Sequence, residues 1–411
     1  MTRSSSLITI ILLVSAAHAT VHLLEQSIAS AEQVISADYD LDLRQSGWLG
    51  FVFRLPYGLG AIFAGLLADR FGEKRILVCY LLGAALTCCG FSSAADVGTV
   101  YLLLIGLGTC ASMYHPAGLA LLANATTPTT RPRALGIHGI FGSLGIASAP
   151  FIAGLVLTLR EGAWKQYYLL LGALSAGLGI LMIWCLKPAQ RTALAVKTAP
   201  SGTKSGLQNN PHRFQIIPYM LLVCSASIGG IVYGGVLHFL PRYLEESGAL
   251  QGVSGSSSAG NFAAAIALTC GAAGQWTAGR VAVARILPVQ LAVVFASNAP
   301  LLVWMAWADG MSRLIAAGIW AFVHFMTQPL YNALIAEFMS VGRRSFGFGF
   351  SNMLTFGMGA VGPGLVARFE AAPRGYTEGY LLMAVVAFLA GTLPMAVLST
   401  RIAIRESDES S

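Results

Sequence analysis

The sequence predicts an all-α integral membrane protein with twelve transmembrane helices, built as two six-helix repeats with both termini cytoplasmic. Apolar residues make up 55% of the chain and charged residues 10%, with a mean hydropathy of +0.68. That leaves too little polar surface to clothe a water-soluble body of 411 residues. Apolar stretches of about 20 residues, enough to cross roughly 30 Å of hydrocarbon at about 1.5 Å per residue, recur almost without interruption. The chain also matches itself at an offset of 213 residues: His115-Pro116 falls on Gln328-Pro329 and Pro150 on Pro363, while Ala120, Leu121, Arg131 and Gly136 fall on Ala333, Leu334, Arg344 and Gly349.

The spans are expected near 6–30, 46–68, 75–95, 98–123, 134–158, 164–186, 214–240, 257–279, 286–308, 312–338, 346–367 and 377–400. In the first, Arg3, the run Leu7 to Val14 and the triplet Ala17-His18-Ala19 imitate a secretory signal peptide. Losing that segment would leave an odd number of spans and break the repeat, so it is read as a membrane helix. Residues 187–213 interrupt the apolar pattern with Lys187, Pro188, Arg191, Lys197, Pro200, Lys204, Pro211 and Arg213, and read as a cytoplasmic linker between halves 1–186 and 214–411. With both ends inside, most of the 25 Lys and Arg fall on cytoplasmic segments. The net charge of +7 is then a topology signal and not a sign of a nucleic-acid partner. The seven cysteines lie within apolar segments without metal-ligand spacing, so neither a metal nor a disulfide framework is expected. Trp48, Trp164, Tyr167, Tyr168 and Tyr376 fall near predicted interfaces and read as belt anchors.

Ionisable side chains inside a span are costly, so each is a functional candidate. Span 1 carries His18, His22 and Glu25 on one face, with Gln26 and Ser15 close to the same stripe. Glu25 is the one acid placed well inside a span. Arg54 in span 2 is expected at the same depth, about 10 Å outward of His18. Two readings of a Glu25–Arg54 pair stay open: a proton carrier released when substrate or conformation separates the two, or a permanent structural bridge. His18 and His22 are relay candidates near neutral pH. His115 in span 4, with His324 and Gln328 at the matching end of span 10, either face a shared cavity or bond between helices.

Residues 65 to 75 read Gly-Leu-Leu-Ala-Asp-Arg-Phe-Gly-Glu-Lys-Arg, in the short polar gap between spans 2 and 3. Gly65, Asp69, Arg70, Gly72, Lys74 and Arg75 resemble the G-x-L-a-D-R-x-G-x-K/R loop of the major facilitator superfamily. The resemblance implies two parallel six-span halves that rock about a midplane site. It also implies that Asp69 latches onto the other half, near Gly347 with Arg343 and Arg344 just before it. At an offset of 214 the second copy of the loop reads Gly279-Arg280-Val281-Ala282-Val283, so its carboxylate is gone. In span 5, the stretch from Gly145 through Ala149, Pro150 and Ala153 to Gly154 is similar to the G-x-x-x-G-P-x-x-G-G pattern of drug/proton antiporters, with Ala at two of its glycines. The basic residue that many antiporters carry in span 4 is missing from Leu104 to Cys110. His22-Leu23-Leu24, Tyr114-His115-Pro116-Ala117 and the Gly142 to Gly154 run resemble the fosmidomycin-resistance exporters, although Ala117 replaces an acid and Glu25-Gln26 replaces Asn-Asp.

These features together predict a monomeric secondary transporter of a bacterial inner membrane, moving a small organic molecule and coupled to protons, most simply as an exporter. Uptake or facilitated diffusion of an organic anion on Arg54 and the histidines is the alternative, and a non-transporting receptor or assembly factor is the third. No nucleophile constellation, nucleotide loop or cofactor motif points to an enzyme or an ATP-driven pump.

Overall fold

A computed structural model describes residues 7–126, 130–186, 215–250, 256–339, 344–369 and 376–409. The expected linker 187–213 and Arg343 lie outside them, as do the side chains of residues 131–133, 256, 344–346 and 401–409. Among the described residues the regular structure is helical. It comprises α1 (Leu7–Asp38), α2 (Leu43–Phe71), α3 (Glu73–Gly90), α4 (Val97–Ser112), α5 (Tyr114–Ala125), α6 (Arg131–Leu159), α7 (Trp164–Cys185), α8 (Ile216–Glu246), α9 (Ser256–Val281), α10 (Leu287–Trp307), α11 (Gly310–Phe325), α12 (Thr327–Phe338), α13 (Arg344–Gly359), α14 (Val361–Ala367) and α15 (Tyr376–Glu409).

Three pairs of these are single passages broken by proline. The breaks fall at Met113, Met326 and Ala360, each three residues before Pro116, Pro329 or Pro363. A proline leaves the carbonyl four residues earlier without its donor and crowds it with the ring, so the helix kinks there. Counting α4–α5, α11–α12 and α13–α14 as one passage each gives twelve, of which ten are long and apolar enough to cross a membrane. The other two are α9, diluted by Ser, Gly, Asn and Gln, and the divided α13–α14.

The 213-residue offset reappears in the backbone. Met326 minus Met113 is 213, and so is Asp309 minus Asp96; these aspartates precede α11 and α4 in the same extended conformation. Asp96 accepts the Thr99 amide at 2.9 Å. The first turn of a helix has unpaired N–H groups, and a carboxylate there satisfies one of them.

Large buried side chains sort into one cluster drawn from α1–α7, including Tyr80, Tyr114, Trp164 and Tyr168, and into others drawn mainly from α8–α15, including Tyr243, Trp320 and Tyr380. Small residues join the two sets. A Cβ on Gly58 of α2 would lie 2.5 Å from the Gly357 nitrogen of α13, so this crossing admits only glycine.

The aromatic belt reading is corrected for four of its five members. Trp48 is half exposed, whereas Trp164, Tyr167, Tyr168 and Tyr376 are buried. For three of them the polar tips find partners inside: Trp164 Nε1 donates to Asp38 at 2.7 Å, Tyr167 donates to the Ala149 carbonyl at 3.0 Å, and Ser27 donates to the Tyr168 hydroxyl at 3.4 Å. An amphipathic ring that can satisfy its polar atom within the bundle need not sit at headgroup level.

Candidate functional site

The polar face of α1 lies in the interior of the first helix set. His18 and His22 are each 5% exposed and Glu25 1%. Glu25 uses both carboxylate oxygens: Arg54 Nη1 donates to Oε1 at 2.8 Å, and His22 Nδ1 meets Oε2 at 2.8 Å. On its other side, His22 Nε2 lies 3.1 Å from His18 Nε2, and His18 Nδ1 lies 2.8 Å from the His138 carbonyl. Arg54, Glu25, His22 and His18 thus form one unbroken hydrogen-bonded chain. The depth match expected from sequence between Glu25 and Arg54 is present as a direct contact.

Other elements fix the ends of this chain. The His18 ring stacks on His138 of α6, centroids 3.8 Å apart, and on Tyr114 of α5 at 5.3 Å. Tyr114 donates its hydroxyl proton to the Val14 carbonyl at 2.8 Å, so His138 Nε2, 2.9 Å from the same oxygen, must be a donor. A Cβ on Gly142 would lie 2.4 Å from the His18 ring, and one on Gly145 would lie 2.2 Å from the Ala19 carbonyl. The Gly-rich stretch of α6 is therefore what lets α6 press against α1. Gly154 meets Phe262 of α9 instead, and Pro150 sits inside α6 without breaking it.

The cluster opens toward the second helix set at two points. His115, half-buried, accepts or donates at Nε2 to Tyr57 at 3.0 Å, and its ring stacks on Phe356 of α13 at 5.9 Å. The Arg54 guanidinium lies 5.3 Å from the Tyr233 ring centroid of α8. Tyr233 in turn stacks on His324 at 5.9 Å. His324 does not meet His115: its Nδ1 bonds Asn298 Oδ1 at 3.0 Å, and its ring lies on Trp320 at 4.8 Å. Gln328 is exposed and bonds Gln275 at 2.6 Å. For these two, the interhelical reading describes the geometry.

A second buried acid escaped the sequence. Hydropathy ended span 1 near residue 30, yet α1 runs to Asp38 because no Gly or Pro stops it. Glu32 is therefore inside the helix, 1% exposed, two turns beyond Glu25 on the same face. Arg242 of α8 grips it through Nη2 at 2.6 Å and Nε at 3.1 Å, while Ser46 donates to the same carboxylate. Neighbouring bonds tie the sets together at the same end: His238 Nε2 to the Ser46 carbonyl at 3.0 Å, Gln26 to the Leu237 carbonyl at 3.3 Å, and Asn261 to the Ser30 carbonyl at 2.9 Å. The signal available in the sequence was the seven-residue spacing from Glu25 to Glu32. His138 was also missed, since a lone histidine in span 5 has no polar neighbour in sequence.

At the opposite end, the motif loop is a tight joint between α2 and α3. Gly72 has φ +89°, a conformation that favours glycine. Arg70 lies 5.3 Å from the Phe71 ring centroid, and Lys74 donates to the Ile183 carbonyl at 2.9 Å. Asp69 and Arg75 lie at the two edges of this joint; of the expected latch partner near Gly347, Arg343 and the side chain of Arg344 are outside the described set.

Twelve helical passages in two kinked sets, ten of them long and apolar enough to cross a membrane, with one ion pair buried inside the first set and another joining the two, are the architecture of a membrane transporter. The Major Facilitator Superfamily model matches residues 13–363, and the chain belongs to that family. It is 28% identical over 160 residues to the tetracenomycin C resistance and export protein of Streptomyces glaucescens, covering 38% of this chain and 29% of that protein. It is also 28% identical over 225 residues to the cis,cis-muconate transport protein of Acinetobacter baylyi, covering 51% and 52%. The chain thus spans between about a third and about half of the length of these curated relatives. Among solved structures, a bacterial homologue of the human lysosomal transporter Spinster superposes with a TM-score of 0.77 at 16% identity, covering 96% of this chain and 97% of that one. This last likeness shows the fold.

Proposed function

We propose that the protein is a proton-coupled exporter of a small organic molecule in a bacterial inner membrane, working as a monomer by alternating access. In this reading 1–186 and 214–411 are the two moving halves, and both termini are cytoplasmic. One observation carries the coupling: a buried, continuous chain of titratable groups, Arg54–Glu25–His22–His18, reaches from the core of one half to the contact with Tyr233 of the other. A structural bundle gains little from four such groups, because each one costs free energy to desolvate. The relative named for resistance and export supports the outward direction.

The organic-anion alternative is weaker on the same geometry, since Arg54 is already neutralised by Glu25 at 2.8 Å. Of the small residues of α6, Gly145 packs on α1 within the first half, while Gly154, one turn beyond Pro150, meets Phe262 of α9 and serves the sliding surface between halves. Gly65, Asp69, Arg70, Gly72, Lys74 and Arg75 form the cytoplasmic joint, with Asp69 as its latch.

The test uses proteoliposomes with an imposed pH gradient and a panel of organic compounds. Accumulation should follow the gradient and collapse with a protonophore; transport indifferent to the gradient would reject proton coupling. Orientation is checked separately, in a cysteine-free background, with a membrane-impermeant thiol reagent on intact cells. A cysteine at Asp40 should react and one at Ser205 should not, and the reverse pattern would overturn the topology.

A further inference from the structure

The contacts around His22 fix a proton count. His18 Nδ1 faces a backbone carbonyl at 2.8 Å, which only accepts, so His18 Nδ1 carries a hydrogen. The Glu25–His22 contact at 2.8 Å holds one hydrogen, whether it sits on nitrogen or oxygen. The His22 Nε2–His18 Nε2 contact at 3.1 Å needs one more, because two bare lone pairs at that separation repel. Three contacts therefore need three protons. Two neutral imidazoles beside an ionised carboxylate hold only two.

From this count, which rests on the proton-coupled reading only for its use in transport, we propose that Glu25, His22 and His18 together bind one extra proton, held between the Nε2 atoms of the two histidines. Glu25 is then a positioning residue. Its Oε1 is held by Arg54 and its Oε2 by His22, so it stays the anion that makes an imidazolium next door favourable. The loaded trio is neutral overall, one anion with one cation, and the unloaded trio carries one negative charge that Arg54 balances.

Release is a simple transfer. The proton leaves His22 Nε2 for a ring nitrogen of His115, which lies with the His18 and His22 ring nitrogens inside a 4.8 Å cluster and is the half-buried member. His22 keeps its Nδ1 hydrogen on Glu25 and becomes neutral. Two lone pairs then face each other, and His18, clamped to α6 through the His138 carbonyl and ring, is pushed from His22. Because α6 also meets α9 through Gly154 and Phe262, loss of the proton strains the contact between the halves. The other groups facing the pair are His138 and Tyr114 from α6 and α5, Tyr57 and Arg54 from α2, Tyr233 from α8, and Tyr80 of α3, which donates to the Ala17 carbonyl at 3.3 Å. In this arrangement the only permanent cation among them is Arg54, already paired.

The test is nitrogen-15 histidine NMR on the full chain in lipid bilayers, with no substrate needed. We expect a coupling across the hydrogen bond between the His18 and His22 Nε2 atoms, and one protonated ring nitrogen beyond one per ring. Raising the pH should abolish both signals together, with release of one proton per chain. Glu25→Gln should abolish them at every pH. If that variant does not fold, His18→Gln serves: it should release no proton over the range in which the wild type releases one. Absence of the coupling in the wild type, or one bound zinc per purified chain in place of the proton, would overturn the proposal. A site found without gradient-driven transport would instead defeat the proposed function and leave the proton site standing.

Discussion

The two helix sets meet the centre of the bundle with different chemistry. In the first, His18, His22, Glu25 and Arg54 form a chain of ionisable groups. In the second, His324 bonds Asn298 and lies between Trp320 and Tyr233, a neutral and ring-lined arrangement. At the 213-residue offset, His18, His22, Glu25 and Arg54 fall on Ile231, Gly235, His238 and Ala267, and His138 falls on Ser351. The second copy has shed the charges, as its loop has shed the carboxylate of Asp69. Duplicated halves need matching shapes to rock against each other, but a coupling ion needs a site in only one of them. On the proposed reading the proton belongs to the first half, and the rings and uncharged hydrogen bonds of the second are what it offers an organic substrate.

The largest break in this asymmetry is Glu25→Gln. It strands the Arg54 guanidinium at 3% exposure and should lower stability by about 3–5 kcal/mol, the usual result of removing one partner of a buried pair. The double variant Glu25→Gln with Arg54→Gln should regain most of that in thermal unfolding, yet remain unable to accumulate substrate against a gradient. Recovery of gradient-driven accumulation in the double variant would move the proton site elsewhere.

Next in size is Glu32→Gln. Its partner Arg242 has 22% of its side chain exposed, so water replaces part of the lost bond and the loss should be about 1.5–3 kcal/mol, the range for hydrogen bonds to a charged group. That loss falls on the contact between halves and not on either core. The expected outcome is faster labelling of a cysteine introduced at Ser30, with little change in unfolding temperature. Unchanged labelling together with a lowered unfolding temperature would make Glu32–Arg242 a fold contact and not a gate.

How much of this was legible in the sequence follows from periodicity and length. The twelve passages and their repeat were readable because hydropathy and prolines report directly on spans and kinks; Pro116 and Pro329 mark the same break in both copies. The Glu25–Arg54 pair was readable because 1.5 Å per residue sets depth. Glu32 was not, since hydropathy falls off before the helix does. His138 and the stacking of His18 upon it were not, because contact between α1 and α6 depends on which face of each turns inward. The buried Trp164 and Tyr168 show the same limit, an interface position in sequence but inward rotamers in the fold.

A smaller effect is expected from Asp69→Asn. A carboxylate acting on a neighbouring helix end contributes about 1 kcal/mol or less, so transport should slow by roughly fivefold or less at equal membrane insertion. Val283→Asp in the second copy should restore nothing, since Arg280 there is engaged with Trp276 at 3.6 Å. Equal rates for wild type and Asp69→Asn would remove the latch and leave the loop as a turn set by Gly72.

The smallest effect sharpens the comparison most. His324 and His22 are both buried histidines near the centre, and only their partners differ: an amide oxygen for one, a carboxylate for the other. An amide does not stabilise an imidazolium as an anion does, so His324 is a neutral donor to Asn298, whose own amide donates to the Val294 carbonyl at 2.7 Å. Glutamine at 324 retains a donor for Asn298 but loses the ring that lies on Trp320. His324→Gln should therefore cost about 1 kcal/mol of stability from lost ring contact and, measured beside His22→Gln in the same vesicles, should leave the ratio of gradient-driven accumulation to simple exchange unchanged. His22→Gln should abolish accumulation and spare exchange. If His324→Gln also turned the protein into an exchanger, protons would be handled in both halves, and the division between a charged half and a neutral one would fail.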